Sequence, residues 1–212
     1  MNKAEKQAIA IVWFKRDLRL TDHEPLALAQ AQGLPILLVY CFEPSVMHYE
    51  DSDTRHWRFV YQSLQDMQLK LDGIKARIHV FHQEVLAVFE MLQQQYCIKA
   101  IFSHQEIGNK ITYDRDLAVK QFCSNLGIAW TESRHNGVVR KLKSRKDWQQ
   151  RWKETMLKPC CNQPTQLTCK ASILWYWIQH STKPSKALNL MMLSARHILC
   201  FNKVAKPLPG NI

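Results

Sequence analysis

Unbroken runs of apolar residues, each of strand length, recur through the first 156 residues. The longest are Ile9–Phe14 and Ile36–Phe42, and shorter runs lie at 78–81, 100–102 and 128–130. Continuous rather than alternating apolarity is typical of strands covered on both faces, as in a parallel sheet. The pattern therefore predicts five buried parallel strands.

Four helical patterns separate these runs. The first is predicted to start at a capping box of Thr21 and Glu24 and to end at Gly33. The other three carry apolar residues at the spacing of one helix face, and the last is closed by Gly127. These apolar residues are Trp57, Val60, Tyr61, Leu64, Met67 and Leu71, then Val85, Val88, Phe89 and Leu92, then Ala118, Phe122 and Leu126.

The alternation of strand and helix predicts the fold class. Five strands joined by four helical crossovers form an α/β fold, a doubly wound five-stranded parallel sheet with helices on both faces. This is a Rossmann-like architecture, although the chain has neither a GxGxxG dinucleotide fingerprint nor a P-loop. We therefore predict one domain over 1–156, followed by an irregular C-terminal tail over 157–212.

The tail differs from the domain in charge. The whole chain has a net charge of +11, whereas residues 157–212 contain 7 Lys and Arg and no Asp or Glu, a charge of +7. Because no strand or helix order joins its apolar clusters, we predict that the tail is not a domain. We interpret it as the product of a disrupted reading frame after Met156. The alternative is a basic, aromatic arm for single-stranded nucleic acid.

Cysteine usage and hydropathy bear on compartment and metal binding. The chain has 7 cysteines, and Cys160, Cys161, Cys169 and Cys200 lie in the tail without the paired spacing of a zinc site. We therefore predict no metal site. The odd cysteine count and the lack of a secretory signal favour a cytoplasmic protein. No apolar run reaches the roughly 18 residues of a membrane span.

Polar residues collect where the predicted strands end, which is the edge at which open parallel sheets bind ligands. The first strand end has the densest cluster, K-R-D-L-R-L-T-D at 15–22. Asp17 lies between Arg16 and Arg19, so we predict that carboxylate–guanidinium pairs clamp this turn. A salt-bridged turn without any ligand is the alternative.

This first segment resembles the opening of the photolyase/cryptochrome family, W-F-[RK]-x-D-L-R-x-x-D. The residues that carry its motif are Trp13, Phe14, Asp17, Arg19 and Asp22. The resemblance continues through 56–60, 102–106, 113–116 and 136–139 and covers about residues 8–156. Lys15 stands where Arg is commoner, and His23 stands where Asn often follows the Asp.

The resemblance implies a two-domain plan in which this N-terminal α/β domain holds an antenna chromophore of folate or deazaflavin type. A helical domain, absent from these 212 residues, would hold FAD and the DNA-lesion pocket. The implied antenna contacts are Phe14, Lys15, Arg16, Asp17, Phe42, Glu43, His104, Gln105 and Glu106. The folate-type Asn–Glu pair is not evident, since Ile111 and Thr112 occupy about that place.

The resemblance therefore implies a truncated antenna domain of a light-driven DNA-repair or blue-light-sensing flavoprotein. We predict no catalytic residues and no FAD in this chain, and weak or no DNA contact. The missing FAD domain is the expected partner. The basic stretch at 140–151 is interpreted as a solvated helix face, and the alternative is docking to the missing domain or to DNA phosphate. The alternative function is a stand-alone α/β nucleotide-binding module.

Overall fold

The computed structural model describes residues 5–140, 142 and 144–167, and within them the chain forms one five-stranded parallel sheet. The spatial order of the strands is β3-β2-β1-β4-β5, so the direction of winding reverses between β1 and β4. The strands are β1 (Ala8–Phe14), β2 (Ile36–Cys41), β3 (Ile78–Phe81), β4 (Cys97–His104) and β5 (Ala129–Ser133).

Among the described residues, six helices connect or follow the strands. They are α1 (Glu24–Ala31), α2 (Pro44–Met47), α3 (Thr54–Asp72), α4 (Val85–Gln95), α5 (Lys110–Leu126) and α6 (Trp148–Met156). The predicted fold class is confirmed, with all five strands and the four connecting helices in place. The short α2 was not predicted, whereas α6 overlaps the basic stretch that was interpreted as a helix face.

The core consists of two layers, one on each face of the sheet. Alternate residues of β1 point to opposite faces, so Ile11 and Trp13 pack with α4 and α5, whereas Val12 and Phe14 pack with α1 and α3. β1 is buried from Ile9 to Phe14 because it lies at the centre of the sheet. This burial on both faces explains the unbroken apolar runs in the sequence.

The predicted capping box at Thr21 is wrong. His23 caps α1 instead, because its Nδ1 accepts the Leu26 backbone N–H at 3.1 Å. The predicted helix ends are confirmed at Gly33 and Gly127, which have φ values of 67° and 65°. Such left-handed backbone is unstrained in glycine and satisfies the last carbonyls of a helix.

The predicted apolar face of α5 is right for Phe122, which packs against the core, and wrong for the other two residues. Ala118 and Leu126 are exposed, while the buried positions are Thr112, Asp116, Val119 and Cys123. Two polar residues lie on this face because the N-terminal half of α5 covers a polar site rather than the apolar core. The faces predicted for α3 and α4 are confirmed.

Residues 161–167 lie along α1. The Asp22 amide donates to the Cys161 carbonyl at 2.8 Å, and Gln30 Nε2 donates to the Gln166 carbonyl at 2.9 Å. Pro164 is buried, and Leu167 packs on the core layer beneath α1. The start of the tail is thus in contact with the domain. The predictions for its other cysteines and for its aromatic cluster fall on 168–212, outside the described residues.

None of the helices in the part of the chain described above is both long enough and apolar enough to cross a membrane.

Candidate functional site

A cavity of about 820 Å³ opens at the carboxyl ends of β1 and β2, between α3 and the start of α5. It lies beside the point where the winding of the sheet reverses, the usual ligand crevice of doubly wound sheets. Aromatic side chains of Trp13, Phe14, Tyr40, Trp57 and Phe59 form part of its lining. Polar and charged groups line the rest.

Two cations, the buried Lys15 and the partly buried Arg115, lie on the face of Trp13. Lys15 Nζ is 4.2 Å from the centre of the Trp13 ring and donates to Asp116 Oδ2 at 2.9 Å. The Arg115 guanidinium lies 4.9 Å from the same ring centre. Burial lowers the pKa of Lys15, against the attraction of Asp116. The indole thus packs under two positive charges, an arrangement that its electron-rich face favours.

Arg115 joins three carboxylates. It donates to Glu43 Oε2 at 2.7 Å, to Asp116 Oδ1 at 2.9 Å and to Glu106 Oε2 at 3.3 Å. Burial disfavours its charge, but these carboxylates outweigh that effect and raise the pKa of Arg115. Burial also raises the pKa of Glu43, against the pull of Arg115. Strands β2 and β4 and helix α5 are therefore tied together at one guanidinium.

Glu106 has one oxygen without a hydrogen bond in the described part of the chain. Its side chain is 4% exposed, and Oε1 is buried beside the cavity. Arg16 Nε lies 3.2 Å from this oxygen, outside hydrogen-bond geometry. Gly108 leaves room for the carboxylate, because a Cβ there would lie 3.0 Å from Oε1 and 2.3 Å from Thr112 Oγ1.

Asp17 does not pair with Arg16 or Arg19, so the predicted carboxylate–guanidinium clamp is wrong. Its buried carboxylate accepts from His23 Nε2 at 2.7 Å, from His104 Nδ1 at 2.5 Å and from the Lys15 backbone N–H at 2.7 Å. Burial opposes ionisation, but the hydrogen bonds from the two rings outweigh it and hold the pKa of Asp17 well below its usual value.

The two arginines make other contacts. Arg19 Nε donates to the Asp22 carbonyl at 3.0 Å, and its guanidinium lies 3.3 Å from His135 Nδ1. Arg16 is 64% exposed over the cavity. Asp17 is next to two arginines in the sequence. In the fold its buried carboxylate contacts the two histidine rings instead.

Asp17, His23 and His104 offer three ligand atoms within 4.8 Å of one another, which is close enough for a metal ion. However, His23 Nδ1 accepts the Leu26 N–H, so the proton of this neutral ring is on Nε2 and is donated to Asp17. His23 therefore offers no lone pair to an ion in this arrangement. The cluster is a hydrogen-bonded support for the first strand-to-helix turn.

The structure separates the predicted antenna contacts into two groups. Phe14, Lys15, Arg16, Glu43 and Glu106 line the cavity. The other four do not: Phe42 is in the core, Asp17 and His104 form the buried cluster, and the Gln105 amide donates to Ser133. The lining residues that were not predicted include Trp13, Tyr40, Trp57, Gly108, Thr112 and Arg115.

Of these, Trp13, Trp57 and Arg115 lie in segments that carry the family resemblance. The resemblance could therefore have identified them as residues of the site. Trp13 was assigned to the motif alone. Gly108 and Thr112 had no such signal, because they lie outside the segments that carry the resemblance.

A family model described as DNA photolyase matches residues 10–157. Cryptochrome DASH from Synechocystis sp. is 36% identical over 124 residues, which are 56% of this chain and 25% of that protein. The chain spans about a quarter of the length of the curated relatives it matches.

Solved structures agree in fold. The Synechocystis sp. PCC6803 cryptochrome aligns with a TM-score of 0.68 and 22% identity, covering 86% of this chain and 41% of that one. An archaeal photolyase from Sulfolobus tokodaii, described with two FAD molecules and a novel light-harvesting cofactor, aligns with a TM-score of 0.60 and 17% identity. That alignment covers 74% of this chain and 37% of the archaeal one.

The chain therefore belongs to the DNA photolyase family. Its five-stranded domain corresponds to the N-terminal α/β domain of cryptochromes and photolyases.

Proposed function

We propose that this chain is an antenna module: it binds a planar, light-absorbing chromophore of deazaflavin or folate type in the cavity between α3 and α5. The observation that carries the proposal is the cavity itself, about 820 Å³ at the carboxyl ends of β1 and β2. Its volume lies within the range of small-molecule and cofactor sites. The bound chromophore would supply light absorption, and the chain would supply its position.

The cavity suits a flat heteroaromatic group. Trp57 and Tyr40 provide apolar walls, while Lys15, Arg115 and Glu106 place fixed charges at its base. Ligand sites of this kind combine apolar walls with a few oriented polar groups. The absence of an Asn–Glu pair at 111–112 favours the deazaflavin type over the folate type.

We further propose that the partner of this module is the helical FAD-binding domain of its family. Trp148, Trp152, Met156 and Leu157 are between 40% and 80% exposed on and just after α6. Exposed apolar side chains grouped on one helix are typical of an interaction surface. Neighbouring Arg145, Arg151 and Lys153 give this helix a basic rim that suits an acidic partner face.

The antenna proposal is tested by titrating the purified chain with 5-deazariboflavin and following the fluorescence of the probe. We expect saturable binding, and we expect Trp57→Ala to weaken it about tenfold because the wall of the cavity is lost. Trp148→Ala, on α6 and outside the cavity lining, is the matched control and should leave binding unchanged. Failure of both 5-deazariboflavin and a reduced folate to bind would contradict the proposal.

We also propose that the photochemistry of the family requires the FAD domain. The 212-residue chain alone should then purify without stoichiometric flavin absorbance, and it should leave pyrimidine dimers intact under blue light. Stoichiometric FAD, or light-dependent loss of dimers, would contradict this.

A further inference from the structure

We propose that the adjacent thiols of Cys160 and Cys161 are a reversible oxidation site that controls how residues 161–167, which we call the strap, are held on the start of α1. Hydrogen peroxide converts the two thiols into one disulfide, and the rearrangement of their shared peptide detaches the strap from Asp22. The proposal does not depend on the antenna function, because it concerns a surface outside the cavity lining.

The two thiols differ in accessibility, which sets the order of reaction. Cys160 is exposed and Cys161 is partly buried, whereas the cysteines of β2 and α5 are buried in the core. Partial burial, followed by the negative charges of Asp22 and Glu24, raises the pKa of Cys161. The thiolate is the form that reacts with peroxide, so Cys160 reacts first and Cys161 second.

The chemistry needs hydrogen peroxide and the two cysteines alone. The Cys160 thiolate attacks one peroxide oxygen, an S–O bond forms, the O–O bond breaks, and the hydroxide that leaves takes up a proton to become water. The Cys161 thiol then loses its proton and attacks the Cys160 sulfur, so that an S–S bond forms and the S–O bond breaks to release a second water. Two thiols and one peroxide thus give one disulfide and two waters.

The disulfide cannot form without a change in the backbone. Consecutive Cα atoms lie about 3.8 Å apart across a trans peptide. Disulfides in proteins usually join Cα atoms roughly 4.4 to 6.8 Å apart. Bringing the two sulfur atoms together therefore distorts the peptide between Cys160 and Cys161.

That peptide carries one of the two hydrogen bonds that hold the strap to Asp22. The Cys161 N–H donates to Asp22 Oδ1 at 3.2 Å, and the Asp22 N–H donates to the Cys161 carbonyl at 2.8 Å. Because both bonds are made by the backbone of Cys161, turning its peptide breaks the first bond and displaces the acceptor of the second. Oxidation is therefore felt at Asp22 without any side-chain contact between them.

The other end of the strap is attached independently. Gln30 Nε2 donates to the Gln166 carbonyl at 2.9 Å, and Leu167 packs on the core layer beneath α1. Arg19 Nε in turn donates to the Asp22 carbonyl at 3.0 Å. Oxidation should consequently free the strap at its first residues and loosen the turn that runs into α1, while the strap stays anchored near the end of this helix.

The experiment measures amide hydrogen exchange at Asp22 and Cys161 by NMR in the reduced chain, after hydrogen peroxide, and after dithiothreitol. Exchange at both amides should become at least about tenfold faster on oxidation, because each loses its hydrogen bond, and should return on reduction. Cys160→Ser should keep slow exchange under peroxide. Cys169→Ser, the same change at another cysteine of the tail, should respond as the unmodified chain does.

Mass spectrometry locates the bridge in the unmodified chain, so the test does not rely on a variant that folds. Chymotryptic cleavage after Leu167 separates the adjacent pair from Cys169, and the pair should lose two hydrogen atoms. A bridge to a different cysteine, or Cys160 oxidised to its sulfinic acid, would overturn the site. A Cys160–Cys161 disulfide with unchanged exchange at Asp22 would overturn the release of the strap.

Discussion

His23 holds Asp17 with one ring nitrogen and starts a helix with the other. Its Nε2 donates to Asp17 Oδ2 at 2.7 Å, and its Nδ1 accepts the Leu26 amide at 3.1 Å. The motif carboxylate is thereby connected through one ring to the first turn of α1. The family more often has Asn at this position, and a histidine can serve both contacts because its two nitrogens lie on opposite sides of the ring.

Asp17→Asn should destabilise the domain by about 3 kcal/mol, because the amide cannot accept from both rings and from the Lys15 amide as the carboxylate does. Urea unfolding followed by circular dichroism measures the change. Asp22→Asn is the control, since Asn keeps the oxygen that accepts from Cys161 and tolerates the φ of 52°; it should stay within about 0.5 kcal/mol. A loss below about 1 kcal/mol for Asp17→Asn would contradict the role assigned to this cluster.

His79 should make the domain less stable in mild acid. Burial, with a contribution from the Arg77 cation, lowers the pKa of His79 from 6.5 to about 4. The unfolded chain therefore binds a proton that the folded chain does not, and stability is lost as the pH falls from about 6.5 towards 4. Between pH 7 and pH 5 this amounts to about 2 kcal/mol.

Replacing His79 with Asn should remove that part of the pH dependence. The measurement is the free energy of unfolding of both proteins at pH 7 and pH 5. His56→Asn, on the exposed surface of α3, should retain the slope of the unmodified chain. Identical slopes for His79→Asn and the unmodified chain would show that His79 is not neutral when folded.

Lys75→Gly should stabilise the protein. Lys75 is exposed just after α3 and has a φ of 54°, a left-handed conformation that costs a lysine about 1 kcal/mol relative to glycine. Gln62→Gly, at an exposed position inside α3, should instead destabilise by about 1 kcal/mol. Thermal melts of the two variants should therefore shift in opposite directions, and a fall in melting temperature for Lys75→Gly would count against this reading.

Gly137→Ala should loosen α6. The new Cβ would lie 2.2 Å from Trp152 Cδ1, so the indole must move away from the loop on which it packs. We expect faster amide exchange in α6 and a loss of about 1 kcal/mol or more. Gly73→Ala is the matched control, because its Cβ meets only the Lys70 carbonyl at 3.5 Å. Unchanged exchange in α6 would mean that the contact with Gly137 does not hold this helix.

Most of the fold could be predicted from the sequence because a strand buried on both faces is apolar at every position. Ile9–Phe14 and Ile36–Cys41 are apolar at every position since each has helices above and below. α5 was misread for the opposite reason: Thr112 and Asp116 are buried by a polar site, and hydrophobic periodicity cannot detect a polar buried face.

The site was predicted in part. Glu43 and Glu106 follow strand ends, so their place beside the cavity could be expected from topology. The partners of Asp17 could not. His23 reaches it through the local turn between β1 and α1, and His104 reaches it only because β4 pairs with β1. Neighbours in sequence suggested Arg16 and Arg19, and both point elsewhere.

The pairing of β4 with β1 also bears on the order in which the domain folds. Lys15 and Asp116 are 101 positions apart in the chain, and Asp17 and His104 are 87 apart, yet both pairs depend on β4 lying beside β1. Closing loops of this length is entropically slow. We therefore expect these charged groups to stay hydrated until β4 pairs with β1, so that the base of the cavity forms with that pairing and not with the more local pairing of β1 with β2.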